Sequence, residues 1–303
     1  MTPDQINGVI SLYRKGGISC CKVAKIYGVT SRAINYLLKR SGVKVEGDLS
    51  IVNRIYSLNQ EYFDIIDTEE KAYWLGFLYA DGYNNEKINL VCLALQDQDQ
   101  KHVEKFKIAL GYGGPIRVSR VSLRKPNNAD MYVVTMRSRN LSQKLAKLGC
   151  FQCKSLTLQF PNQDQVPHSL MRHFIRGYFD GDGCFMVNKN YTKKRTLFKK
   201  FCASIASSCY FCEGVKKFLA LNLGVSCQIR GEKKYKHTTR ELRVFNTEKV
   251  FVFLDWMYHG STVYLDRKFN KYVAERLDVN TRRVGRGHKE IQKPQHSVVS
   301  GLL

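Results

Sequence analysis

The chain has 303 residues, and its 49 lysines and arginines against 26 aspartates and glutamates give a formal net charge of +23. An excess of this size says nothing about the fold, but it points to a polyanionic partner, for which nucleic acid is the default. No stretch approaches the roughly 20 apolar residues of a membrane span, and the polar start, Met1-Thr2-Pro3-Asp4, is unlike a secretory signal. We therefore expect an intracellular protein (cytoplasm, nucleoid or organelle) with no membrane partner.

The first 45 residues are predicted to form a unit of three short helices. Apolar residues follow helical spacing before Gly16, between Ser19 and Tyr27, and between Ser31 and Ser41. Two helices joined by a tight turn at Gly28 resemble a helix-turn-helix, with Thr30 or Ser31 capping its second helix. That helix would offer residues typical of major-groove and phosphate contacts, namely Arg32, Asn35, Tyr36, Lys39 and Arg40. The alternative is a three-helix protein-binding module with solvated charges. Residues 46–66 are predicted to be a linker.

Two later segments repeat each other and are predicted to be crossing helices. One is Trp74-Leu75-Gly76-Phe77-Leu78-Tyr79-Ala80-Asp81-Gly82, and the other is Ile175-Arg176-Gly177-Tyr178-Phe179-Asp180-Gly181-Asp182-Gly183. In each, two small residues four positions apart share one helix face, which allows a close approach of two backbones.

Each of these helices ends in an aspartate, which the helix dipole disfavours by about 0.3–1 kcal/mol. Two such carboxylates meeting at one end of a helix pair would repel each other unless a divalent cation lay between them. The alternative is that Asp-Gly is only a common turn dipeptide. Two copies, each ending an amphipathic helix, favour the metal site.

The same order of elements, αββαββα, is predicted for both copies, with the motif helix as the first element. Asp67 and Glu70 have the spacing of a capping box at the start of the first copy. We place the first repeat at residues 67–160, the second at 161–277, and a basic flexible tail at 278–303. The ten cysteines include the pairs Cys150/Cys153 and Cys209/Cys212, which are too far apart for a zinc ribbon and are expected to be free thiols.

The two segments resemble the paired motifs of a single-chain LAGLIDADG homing endonuclease, over roughly residues 67–277. The resemblance implies that Asp81 and Asp182 bind Mg²⁺ (or Mn²⁺), that the carbonyls of Ala80 and Gly181 assist, and that Gly76 and Gly177 are the helix-packing glycines. It also implies one lysine per repeat near the scissile phosphates. Lys154 and Lys268 are the candidates, and the alternative for either is a surface residue capping a helix end.

Helices covering one face of four strands per repeat leave the other face open. The fold class expected is α+β: two pseudo-symmetric αββαββα repeats forming a DNA-binding saddle, plus the small all-α helix-turn-helix domain. Basic runs at equivalent loops favour a phosphate-contacting surface over isolated solvated hairpins. The candidates are Arg117, Arg120, Arg124, Lys189, Lys193, Lys194, Arg195, Arg230, Lys233, Lys234, Arg240 and Arg243.

The sequence thus predicts a monomeric, Mg²⁺-dependent endonuclease that makes a double-strand break in a long asymmetric DNA site, with no obligate protein partner. A non-cleaving DNA-binding regulator and an RNA maturase on the same scaffold are the alternatives. The helix-turn-helix favours duplex DNA, because the deep and narrow major groove of RNA excludes a recognition helix.

Overall fold

The computed structural model describes residues 1–14, 20–43, 55–119, 130–191, 197–231 and 239–284. The N-terminal unit has helices α1 (Pro3–Arg14), α2 (Cys20–Tyr27) and α3 (Ser31–Arg40). They enclose a small core of their own, built on Val9, Val23 and Leu38. Thr30 is the cap of α3, where its hydroxyl accepts a hydrogen bond from the amide of Ala33.

In its described residues, the first repeat contains three α-helices and one four-stranded antiparallel sheet in the order β1-β2-β4-β3. Its elements are α4 (Glu69–Asp81), β1 (Gly82–Asn85), β2 (Leu90–Gln96), α5 (Gln100–Ala109), β3 (Arg117–Ser119), β4 (Met131–Arg137) and α6 (Arg139–Lys147). The cap of α4 is Thr68 and not Asp67, which instead forms an ion pair with Lys71.

The second repeat has the same plan, with strand order β5-β6-β8-β7. Its elements are α7 (Met171–Asp182), β5 (Gly183–Tyr191), β6 (Leu197–Ser207), α8 (Cys209–Leu223), β7 (Gln228–Arg230), β8 (Arg240–Val244) and α9 (Thr247–Tyr258). A further helix, α10 (Asp266–Val284), follows it. The expected fold class is therefore confirmed for the two repeats.

Alternation along the strands gives each sheet one core side and one open side. In the second sheet, Phe185 pairs with Ala203, and Ile205 pairs with Leu242, all four buried among the helices. Their neighbours along the strands point the other way, since successive side chains alternate across a sheet. The first sheet has the same arrangement, with Leu93 and Val134 paired on the core side.

Three boundaries differ from those expected. Tyr62, Phe63 and Ile66 are buried in the core of the repeats, so the end of the expected linker belongs to the first repeat. The first of the two expected strands, β1, begins directly after Asp81, in a Gly-Tyr-Asn-Asn segment whose composition is typical of a turn. Helix α10 continues past residue 277 to Val284, and residues 285–303 lie outside the described part.

Within the described residues, no helix is both long and apolar enough to cross a membrane.

Candidate active site

The two repeats meet through α4 and α7, whose backbones touch at two glycines. A Cβ added at Gly76 would lie 2.0 Å from the carbonyl oxygen of Phe174, and one added at Gly177 would lie 2.0 Å from that of Tyr73. Neither position can hold a side chain without separating the helices. The pseudo-symmetry of the two contacts brings the C-terminal ends of both helices to the same place.

Asp81 and Asp182 are the last residues of α4 and α7 and lie together at this end. A Cβ at Gly181 would be 2.4 Å from the Cβ of Ala80 and 3.1 Å from Oδ2 of Asp81. The glycines that follow, Gly82 and Gly183, have φ of −75° and −88°, so neither adopts the left-handed conformation common at helix C-termini. They are needed for space, because a Cβ at either would collide with a carbonyl one turn back, at 2.6 and 2.5 Å.

Both candidate lysines reach the ends of the motif helices. Lys268, in the first turn of α10, is buried, and its Nζ donates to the carbonyls of Phe179 (2.7 Å), Gly181 (3.2 Å) and Gly183 (2.5 Å). Lys154 is also buried and donates to the carbonyl of Gly82. Cations at helix C-termini satisfy exposed carbonyls and offset the negative end of the dipole.

At this crossing, the two carboxylates of Asp81 and Asp182 lie close together, and the ammonium groups of Lys154 and Lys268 are near them. Both carboxylates reach solvent, but the surrounding protein and then repulsion from Asp182 raise the pKa of Asp81 to about 6. Burial likewise raises the pKa of Asp182, which Lys154 and Lys268 partly offset. Burial lowers the pKa of Lys268 to about 8. Two accessible carboxylates that repel each other are a place where added positive charge is stabilising.

The donor set suits a hard divalent cation. Carboxylate oxygens and backbone carbonyls are the ligands that Mg²⁺ accepts, and Mg²⁺ usually keeps several waters with only one or two carboxylates. The carbonyl of Gly181 already accepts a hydrogen bond from Lys268, so only its second lone pair remains for a cation. Among the described residues, no group of three or more His, Cys, Asp or Glu side chains could hold a metal. All ten cysteines are free, including both Cys-x-x-Cys pairs.

A buried polar network behind this crossing was not expected from the sequence. Asp180 is fully buried and accepts hydrogen bonds from the hydroxyls of Tyr73 (2.8 Å) and Tyr258 (2.5 Å) and from the amide of Leu265 (2.8 Å). The equivalent residue in the first repeat, Tyr79, donates instead to the carbonyl of Leu148. Asp180 therefore holds the segment that leads to Lys268, and Tyr79 holds the segment that leads to Lys154. Asp180 is part of the motif itself, so only its partners were missed.

The structure separates the candidate basic residues by face. Arg117, Arg230 and Arg243 project from the open sides, and Arg243 forms an ion pair with Glu241 at 2.6 Å. Lys189 and Arg240 do not. Lys189 pairs with Lys199 on the core side of its sheet, and Arg240 is buried on that side beside Leu242. The charge runs were predicted without the strand register, which decides the face of every residue.

Two further open-side cations were not in the predicted set: Lys200, opposite Asn188, and Arg137, opposite Leu90. In the N-terminal unit, α3 leaves its cations and Tyr36 exposed, while Asn35 is half-buried. The remaining candidates, Arg120, Arg124, Lys193, Lys194, Arg195, Lys233 and Lys234, lie outside the described residues.

The fold and the site together define a class: a single-chain α+β protein of two similar repeats, with one carboxylate from each at the ends of two crossing helices. Residues 169–256 match the family model of the LAGLIDADG-like domain. That range runs from the start of α7 almost to the end of α9. The second repeat is therefore similar to a LAGLIDADG-like domain, and the first repeat has the same order of strands in its sheet.

Solved structures similar to this chain include two named proteins. I-SmaMI, described as a LAGLIDADG homing endonuclease bound to cleaved DNA, is 13% identical, with a TM-score of 0.46 over 72% of this chain and 92% of that one. A structure of I-SmaMI with an uncleaved DNA target in the presence of calcium ions is 12% identical, with a TM-score of 0.45 over 71% and 92%. I-LtrWI, a LAGLIDADG homing endonuclease bound to target DNA, is 12% identical, with a TM-score of 0.48 over 77% and 94%. No curated protein sequence matches the chain.

Proposed function

We propose that this protein is a homing endonuclease that uses a divalent metal, Mg²⁺ or Mn²⁺, to cut both strands of a long DNA site. The observation that carries the proposal is the pair Asp81 and Asp182, which lie together, accessible and mutually repelling, at the ends of two backbone-packed helices. Because each repeat contributes one carboxylate, the site has two related halves, one for each strand of a DNA duplex.

Asp81 and Asp182 hold the metal in this proposal, with the carbonyls of Ala80 and Gly181 beside them. A metal held there would supply a nucleophilic water and stabilise charge on the phosphate and the leaving oxygen. Lys154 and Lys268 place one ammonium in each half, where developing negative charge on a scissile phosphate would be stabilised. Their helix-capping hydrogen bonds keep both ammonium groups close to the carboxylates.

The open sides of the two sheets form the proposed DNA surface, a saddle. Exposed arginines and lysines on those sides would neutralise phosphates, which is the main source of affinity for duplex DNA. The N-terminal unit would act as a second reading head, with exposed Arg32, Tyr36 and Lys39 on α3 facing the major groove.

The direct test is Asp81→Asn and Asp182→Asn in a Mg²⁺ cleavage assay on a randomised duplex library. Each variant should abolish double-strand cleavage and leave DNA binding within about tenfold, since the carboxylates act in chemistry more than in affinity. Near wild-type cutting of both strands by either variant would contradict the assignment. A wild-type protein that binds duplex without cutting would be the non-cleaving regulator, and one that binds only structured RNA would be the maturase.

A further inference from the structure

The segment that carries Lys268 is held by charged groups of the other repeat. Arg267, its neighbour in the first turn of α10, donates through Nε to both carboxylate oxygens of Asp99, at 2.9 and 3.0 Å. Lys105 binds Asp266 at 2.7 Å and the carbonyl of Tyr264 at 3.4 Å. Asp99 is the residue directly before α5 in the first repeat, and Lys105 lies in the middle of that helix. Two ion pairs across the repeat boundary therefore involve the two residues that directly precede Lys268.

These two ion pairs differ in strength. The side chain of Asp99 is only 9% exposed, whereas those of Lys105 and Asp266 are 39% and 48% exposed. Exposed pairs contribute little, but a buried carboxylate that loses its cationic donor is left poorly satisfied. The bond between Asp99 and Arg267 therefore dominates.

The segment that carries Lys154 is held differently. It too is braced from the other repeat, but by uncharged groups: the hydroxyl of Ser208 donates to the carbonyl of Leu158, and the ring of Phe160 lies 5.8 Å from that of Phe211. Within the first repeat, the amide of Asn84 donates to the carbonyl of Cys150 at 2.7 Å. Between residues 148 and 160, no side chain forms a salt bridge with another described residue.

We infer that Asp99 and Arg267 are positioning residues for Lys268, and that the two strand cuts consequently differ in their dependence on salt. This inference rests on the proposed function. Salt screens the partly exposed Arg267, so the first turn of α10 loosens and Lys268 leaves the carbonyls of α7 more often. The neutral contacts around Lys154 are not screened. Raised ionic strength therefore slows one strand and leaves nicked DNA as an intermediate.

The test follows each strand separately within one bound complex. DNA carrying a site that the wild-type protein cuts, with each strand labelled, is incubated with saturating protein, and the rate of cleavage of each strand is measured. Because both rates come from the same bound complex, the salt dependence of binding cancels in their ratio. Lys268→Gln should slow the cleavage of one strand. Asp99→Asn and Arg267→Gln should each slow cleavage of that same strand by at least about fivefold, as expected for a lost charged hydrogen bond. The double variant should be no slower than either single one, because the residues act through each other.

Arg276→Gln is the matched control, since it removes the same charge from the same helix. Arg276 binds Asp255 at 2.7 Å, within the second repeat, and should leave the strand ratio unchanged. In the wild-type protein, raising NaCl from about 0.05 to 0.3 M should shift the ratio in the same direction as Asp99→Asn. If the variants slow both strands equally, or neither, the inference is overturned.

Hydrogen exchange gives a readout that does not require cleavage. Amides of residues 264–270 should exchange faster in Asp99→Asn and at high salt, while those of residues 148–157 keep their wild-type rates. Equal rates in residues 264–270 for variant and wild type would overturn the inference by itself. A wild-type protein that cuts neither strand would instead overturn the proposed function, and the exchange measurement would still decide whether these residues hold the segment.

Discussion

At the scale of single residues, the crossing of the motif helices combines the carboxylates of Asp81 and Asp182 with a buried network centred on Asp180. Asp81, Asp182 and the packing glycines follow from a repeated motif, because crossing helices need small residues at fixed spacing. The network around Asp180 could not be predicted, since its partners Tyr73, Tyr258 and Leu265 come from three separate parts of the chain. Contacts between distant segments are set by tertiary packing, which no local pattern records.

The buried His102 has a fixed tautomer in this network. The hydroxyl of Tyr73 donates to Asp180, so it must accept from Nε2 of His102, which lies 2.9 Å away. That leaves Nδ1 as a buried acceptor without a hydrogen-bond partner among the described residues. Burial, together with the charges of Lys105 and Arg267, lowers the pKa of His102 to about 3.

This histidine should make the fold sensitive to acid. The pKa of His102 is lower in the folded than in the unfolded state. Its contribution to the free energy of unfolding is therefore fully present above about pH 6.5 and is lost as pH falls toward 3. The loss is at most about 1.4 kcal/mol per pH unit. His102→Gln should therefore flatten the decline in unfolding free energy between about pH 6 and 4, measured by urea denaturation. His168→Gln, at an exposed histidine, is the control and should keep the wild-type slope. Parallel curves for His102→Gln and wild type would refute the argument.

At the scale of elements, the helix crossing predicts a large effect from a small change. Gly177→Ala places a Cβ 2.0 Å from the carbonyl of Tyr73, and a backbone atom cannot move aside as a side-chain tip can. We expect a loss of about 3 kcal/mol or more in unfolding free energy. Gly8→Ala is the control, because its Cβ would meet only the hydroxyl of Tyr27, at 2.5 Å. Its effect should stay within about 1 kcal/mol. An unchanged melting temperature for Gly177→Ala would mean that the helices do not meet at this face.

Strand register decides on which side of its sheet each basic residue lies. Two lysines on the neighbouring strands β5 and β6 allow this to be tested. Lys200 and Lys189 are both exposed and belong to neighbouring strands, but Lys200 is on the open side and Lys189 is on the core side. Lys200→Gln should weaken DNA binding and lower the log-log salt slope by about one. Lys189→Gln removes the same charge and should change neither. Equal effects of the two changes on the slope would contradict the proposed DNA surface.

At the scale of the whole molecule, composition and the repeat gave the architecture, while the boundaries needed tertiary information. The order of elements was predicted because both copies share it, and each copy supports the interpretation of the other. The linker was placed too far along the chain, since Tyr62 and Phe63 are spaced like loop residues but are buried against the first repeat. Residues 1–45 can therefore be removed without touching that core, whereas a cut at residue 66 would expose it.

That deletion provides the last prediction. A tethered second reading head raises affinity through effective concentration, so removing residues 1–45 should weaken DNA binding and shorten the protected footprint on one side only. Cleavage at saturating protein should persist, because the candidate site lies wholly within the two repeats. In the full chain, Arg32→Ala should relax sequence preference in that flank by about 1–3 kcal/mol per base pair contacted, and leave preference near the cut unchanged. A footprint of unchanged length after the deletion would make the N-terminal unit a protein-contact or purely structural module, since a bound helix-turn-helix cannot leave without uncovering the DNA it protects.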